Sequence, residues 1–177
     1  MITQTEKAKA FKALHERDDA FVIPNPWDSG SARLLSGLEF EALATTSSGF
    51  AHSLGRLDGE VTLDEAIEHC RRLCASTHLP VSADLENCFA DEPEKDGETI
   101  LLAAHAAVVG CSIEDYTRNP SNPIYDFVDS RLSGNAKSRQ LRVDDGYDLK
   151  QRDAKTVELS DAAQLFISRQ ARNNALR

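Results

Sequence analysis

A chain of 177 residues with 41% apolar side chains is long enough for one domain with a real core, and no run approaches the roughly 18 apolar residues that span a bilayer. Its net charge of −9 argues against a nucleic-acid partner. The opening MITQTEKAKAFKALHERDD is charged throughout and lacks a signal-peptide apolar stretch, so a cytoplasmic protein with no membrane partner is expected.

Ala8, Phe11 and Leu14 recur at helical spacing and predict a short amphipathic helix leading into Phe21-Val22-Ile23, an apolar triplet that reads as a buried strand before Pro24-Asn25-Pro26. Asp28 and Ser29 suit the cap of a helix containing Ala32, Leu34 and Leu35. Ala42-Leu43-Ala44-Thr45 reads as a second strand, ending in the small polar run Thr46-Ser47-Ser48-Gly49. Thr62 and Glu65 form a capping box, and the helix behind them lines up Leu63, Ala66, Ile67, Cys70, Leu73 and Cys74 on one face. Pro80 introduces a third strand, Val81-Ser82-Ala83-Asp84-Leu85-Glu86. Pro93 suits a helix's first turn, Ile100, Ala104, Ala107 and Val108 give that helix its apolar stripe, and Cys111-Ser112-Ile113-Glu114 is the fourth strand.

Short apolar strands alternating with helices imply βαβ units and a parallel sheet. Pattern alone leaves a (β/α)8 barrel and an open doubly wound sheet equally open, and no GxGxxG or P-loop marks a nucleotide fold. Beyond Phe127 the rhythm fails, and only a late helix from Ser160, with Ala163, Phe166 and Ile167 on one side, is predicted. The charge changes at the same place: residues 1–127 hold 10 Lys/Arg against 22 Asp/Glu, and residues 128–177 hold 10 against 7. Two segments are therefore expected, 1–127 and a divergent, partly helical 128–177. The four cysteines form neither a disulfide framework nor a CxxC pair; Cys70 and Cys74 fall on an apolar helix face, and the flanking His69 and His78 lack a zinc spacing.

The acids are the candidates for chemistry. Asp28, Asp84, Glu86, Glu114 and Asp115 all fall at or just past the carboxyl ends of predicted strands, where parallel α/β folds gather their active-site loops. A strand's period of two would point Asp84 and Glu86 to one side. Neighbouring carboxylates resist burial unless a cation compensates, and a hard divalent ion such as Mg²⁺, held by one or two carboxylates and water, suits them. The competing structural roles are a helix cap for Asp28, a strand exit for Glu114 and a turn for Asp58. Ser47-Ser48-Gly49 suits either a turn or a row of N–H donors to an anion. His52 and His105 read as surface or packing residues.

Five segments, taken together, resemble the isocitrate lyase/phosphoenolpyruvate mutase superfamily over about residues 3–127: Asn25-Pro26-Trp27-Asp28-Ser29-Gly30-Ser31-Ala32-Arg33, Thr45-Thr46-Ser47-Ser48-Gly49-Phe50-Ala51, Leu54-Gly55-Arg56-Leu57-Asp58-Gly59, Pro80-Val81-Ser82-Ala83-Asp84-Leu85-Glu86-Asn87 and Gly110-Cys111-Ser112-Ile113-Glu114-Asp115. The match favours the oxaloacetate decarboxylase-like or 2-methylisocitrate lyase-like branch. The resemblance implies a (β/α)8 TIM-type barrel, Mg²⁺ or Mn²⁺, and an enolate formed from a small 2-oxo or 2-hydroxy carboxylate by C–C cleavage or decarboxylation. It implies metal ligation by Asp84, Glu86 and Glu114, catalytic roles for Asp58 and Glu114, and substrate contacts from Trp27, Asp28, Ser47, Ser48 and Gly49. Three departures accompany it. Tyr116-Thr117-Arg118-Asn119-Pro120-Ser121-Asn122-Pro123 replaces a loop of Lys-Xaa-Cys-Gly-His type, Asn87-Cys88-Phe89-Ala90 replaces a glycine-richer loop, and no counterpart is legible for the barrel's second half. The expectation is a barrel cut to about its first four βα units with an unrelated tail, completed as a homo-oligomer or surviving as an inactive remnant.

Overall fold

Three of the helices are opened by reciprocal caps written in the sequence. Thr3 and Glu6 cap α1 (Gln4–Glu16), Asp28 and Ser31 cap α2 (Ser29–Ser36), and Thr62 and Glu65 cap α4 (Leu63–Ser76); each pair satisfies orphan amides from both sides. The structure, a computed structural model, describes residues 2–91, 93–125 and 166–169. Its other elements are β1 (Leu43–Ala44), α3 (Ser47–Ser53), β2 (Val81–Asp84), α5 (Pro93–His105), β3 (Gly110–Ile113) and β4 (Phe166–Arg169).

The strands form one parallel sheet in the order β1-β2-β3-β4. Ala83 sits opposite Cys111, and Cys111 opposite Ile167. Every residue of β3 is buried, as are the first three of β2, as expected of parallel strands covered on both faces. Leu43, Val81, Ala83, Leu85, Cys111 and Ile113 join Ile67, Cys70 and Leu73 of α4 and Ala103 and Ala104 of α5 in the main core. A smaller cluster gathers Phe11, Ala42 and Val109, with Phe21 and Ile23 at its edge. The Gln4 amide donates to the carbonyls of Ala104 and Val108, both at 2.9 Å, tying α1 to the end of α5. This mixed α/β architecture with a parallel sheet is consistent with the TIM-barrel type. Among the described residues, no helix is long and apolar enough to cross a membrane.

Two expectations are corrected, and one left open is decided. Phe21-Val22-Ile23 is not a strand: its end is tied by a single ladder-like bond, from the Ala44 N–H to the Pro24 carbonyl at 3.1 Å. Pro24 and Pro26 bring no N–H, so pairing cannot continue through them. Ser47-Ser48-Gly49, left open between a turn and a row of N–H donors, forms the first turn of α3, with Thr46 as its cap. Phe166 and Ile167, expected in a helix from Ser160, lie in β4, hydrogen-bonded in parallel along β3. A short apolar run does not reveal its period, and the open edge of β3 offers the backbone partners that decide it. The remainder of the expected 128–177 segment lies outside the described residues.

Candidate active site

Parallel strands bring their carboxyl ends together, and here they bring together Thr45 after β1, Asp84 at the end of β2 and Glu114 just after β3. Asp84 is held from three directions. Its N–H donates to the Thr45 hydroxyl at 2.8 Å, its Oδ2 accepts from the Ser47 N–H at 3.0 Å, and its Oδ1 accepts from the Glu86 N–H at 3.2 Å. The first amide of α3 is thus committed to a carboxylate, which suits the positive end of a helix.

Glu86 does not reach the site by strand alternation, because β2 stops at Asp84 and Glu86 takes the left-handed conformation, φ 49°. That turn lets the Glu86 carbonyl accept from the Glu114 N–H at 2.6 Å, stitching the ends of β2 and β3 together. Both glutamates are buried. Burial pushes the Glu86 carboxyl above its ordinary range; the Arg118 guanidinium opposes this, and the charges of Asp58 and Asp84 add to it. Asp58 is itself exposed.

Arg118, from the segment after β3, makes an ion pair with Glu86 Oε2 and lies 5.2 Å from the Phe89 ring centroid. Glu86, Cys88, Phe89 and Arg118 all have positive φ, four of the six such non-glycine residues among those described. Left-handed backbone costs non-glycine residues energy and concentrates at functional sites. The Asn87 amide donates to Ala90 and Tyr125, and the Tyr125 hydroxyl donates to Asp91, which braces this strained loop against the segment after β3.

A small pocket, partly open to solvent, lies beside these acids. Thr45, Thr46, Ser47, Asp84 and Glu86 supply its polar wall, and Phe50, Val61, His69, Cys70 and Phe89 its apolar one. His69 is buried and stacked on Phe50 with 3.8 Å between ring centroids, and its Nε2 has no hydrogen-bond partner among the described residues. Burial pushes its pKa down to about 4, so the ring is neutral near pH 7. Cys70, behind the pocket, is buried and its thiol is pushed far up, which makes it a small hydrophobe rather than a nucleophile.

Of the residues expected at the site, Ser47, Asp84 and Glu86 line the pocket, and Glu114 is joined to Glu86 through the backbone. Trp27 is 58% exposed and packs over Gly49, where an added Cβ would lie 2.8 Å from the indole. Asp28 caps α2, its Oδ1 accepting from the Ser31 N–H at 2.7 Å. His52 and His105 are exposed, as expected of surface residues. Sequence reasoning missed Arg118, Phe89 and His69 as parts of the site. Only the unusual Asn87-Cys88-Phe89-Ala90 and Tyr116–Pro123 loops hinted at the first two.

Among the described residues, no group of three or more His, Cys, Asp or Glu side chains is placed to hold a metal ion. The donors at hand are carboxylate oxygens, the class Mg²⁺ prefers, and Mg²⁺ commonly binds through one or two carboxylates with water filling its remaining positions. Asp84 alone can supply that direct contact, so the donor set fits.

The family model for phosphoenolpyruvate phosphomutase matches residues 11–144. The uncharacterized protein Rv1998c of Mycobacterium tuberculosis (strain ATCC 25618 / H37Rv) is 33% identical over 106 residues, 60% of this chain and 40% of that one. A lyase/mutase candidate from Burkholderia cenocepacia J2315 is 52% identical, with a TM-score of 0.73 over 73% of this chain and 47% of that one. Phosphonopyruvate hydrolase, crystallised with oxalate and Mg²⁺, shares the fold at 15% identity and a TM-score of 0.68, over 72% of this chain and 45% of that one. The chain thus spans about half or less of these relatives. A match over most of its length nevertheless places it: the chain belongs to the phosphoenolpyruvate phosphomutase family, within the phosphoenolpyruvate mutase/isocitrate lyase superfamily.

Proposed function

We propose that this chain binds Mg²⁺, or Mn²⁺, beside Asp84 and acts on a small 2-oxo or 2-hydroxy carboxylate, breaking a C–C bond or releasing CO2 through an enolate. The observation that carries this reading is the anchoring of Asp84 at the pocket wall by three hydrogen bonds, with Glu86 and Glu114 at the adjoining strand ends. Such fixation keeps the carboxylate in place before any ligand arrives. The oxalate and Mg²⁺ of phosphonopyruvate hydrolase suggest the ligand class to try first.

In this reading Asp84 would hold the metal directly, and Glu86 and Glu114 would support it as the neighbouring acids. A bound Mg²⁺ would supply positive charge for the oxygen that becomes negative when a bond beside a carbonyl breaks. The amides of α3 add donors: that of Ser47 is used by Asp84 and that of Gly49 by Thr46, whereas Ser48, second in the helix, has no carbonyl one turn back. A substrate carboxylate is oriented there, with Trp27 and Asp28 on the same side. Asp58 and Glu114 move the protons, and Phe50, Val61 and Phe89 form the apolar side of the pocket.

Calorimetric titration with Mg²⁺ and Mn²⁺, followed by turnover of oxaloacetate and of a methylisocitrate-type acid, tests this. Asp84→Ala should weaken metal binding by at least about tenfold, the range seen when metal-site partners are removed. Equal affinity in the variant would show that the metal is not held here. A second reading, a non-catalytic protein that retains metal binding or associates with a relative or with a second copy, is favoured by the Arg118–Glu86 pair, which already neutralises one of the acids. Metal-dependent turnover would exclude it.

A further inference from the structure

We propose that Arg118 is a built-in counter-cation of this site, which holds Glu86 while the metal is absent and must leave it for the metal to bind. The proposal rests on the metal reading above and concerns a residue that reading does not use.

Its basis is the way one guanidinium is placed. Arg118 reaches the pocket from the loop after β3, pairs with Oε2 of Glu86, and stacks over Phe89, another residue of the pocket wall. Glu86 is 7% exposed as a residue and lies among other negative charges, those of Asp84 and Asp58. A buried carboxylate in such company needs compensation, and Arg118 is its ion-pair partner among the described residues. A divalent ion beside Asp84 would offer the same acids twice the charge and would repel the guanidinium. The two cations therefore compete for one acidic cluster.

Arg118 and Phe89 are both in left-handed backbone, as are Glu86 and Cys88, so strained backbone surrounds the pair on both sides. The Arg118 side chain retains 34% of its exposure, so water can receive it when it swings out. The guanidinium also suits the place, since it stands over the Phe89 ring at 5.2 Å from its centroid while it donates to Glu86.

The test is Mn²⁺ binding followed by loss of the free-ion electron paramagnetic resonance signal, in the wild type, Arg118→Gln, Arg118→Lys and Asp84→Asn, with circular dichroism to confirm folding. Removing the competing charge should tighten Mn²⁺ binding roughly five- to twentyfold in Arg118→Gln, the scale of a partly buried charge pair. Arg118→Lys, which keeps the charge and folds if the charge is what matters, should stay within about twofold of wild type. Unchanged or weaker binding in Arg118→Gln, with binding still lost in Asp84→Asn, overturns the role of Arg118 and leaves the metal site standing. Absence of Mn²⁺ binding in every form, Arg118→Gln included, overturns both. An independent readout is the Arg118 side-chain N–H resonance, which should shift on Mg²⁺ addition in the wild type and stay fixed if the guanidinium never moves.

Discussion

His69→Phe isolates the electrostatic consequence of the buried pocket wall. The His69 ring is held at a pKa of about 4 by burial, against 6.5 for an ordinary histidine; the charge of Asp28 opposes the shift and that of Arg72 adds to it. The folded value lies below the unfolded one, so the folded chain refuses a proton that the unfolded chain accepts. The stability contribution of the neutral ring is complete above pH 6.5 and is lost as pH falls toward 4. Linkage over that interval gives a loss of ~2 kcal/mol between pH 7.5 and pH 5 from this ring alone. Phenylalanine keeps the stack on Phe50 and removes both the titration and the orphaned Nε2. Urea unfolding of both proteins at several pH values, without metal, is the assay. The carboxylates contribute equally to both curves, so the difference between them isolates His69. The wild type should lose ~2 kcal/mol more than the variant on acidification over this range. Parallel stability–pH curves would mean that the folded ring takes up its proton normally, and the description of this wall as desolvated would be wrong.

Two other substitutions probe the scaffold. Gly49→Ala places a Cβ 2.6 Å from Thr46 Cγ2 and 2.8 Å from the Trp27 ring, so it should cost about 1–3 kcal/mol and displace the indole. Trp27 is the chain's one tryptophan, and its fluorescence reports that displacement directly. Leu73→Ala, at a fully buried position of α4 in the main core, should lower the unfolding free energy by about 2–5 kcal/mol in denaturant titration. A smaller cost would show that α4 can collapse onto the sheet.

What the sequence determined by itself was local. Thr62 with Glu65 announces a helix start because a capping box needs two residues three apart and nothing else. The α4 stripe of Ile67, Cys70, Leu73 and Cys74 announces a buried face because four apolar residues at helical spacing behind a capping box reinforce one another, and all four are buried. That Asp84 and Glu114 come together was legible because a parallel sheet must present the carboxyl ends of its strands together. Tertiary structure alone decided the rest. Phe21-Val22-Ile23 and Phe166-Ile167 are similar short apolar runs, yet only the second finds a continuous backbone partner, so only it is a strand. Glu86 reaches the site through a left-handed turn rather than by alternation, and no periodicity encodes that. Arg118 is 32 positions from Glu86, and only the folded loop after β3 brings its charge to the buried acid. Local patterns specify hydrogen-bond and burial needs within a few residues, whereas charge compensation across loops exists only once the sheet has set those loops side by side.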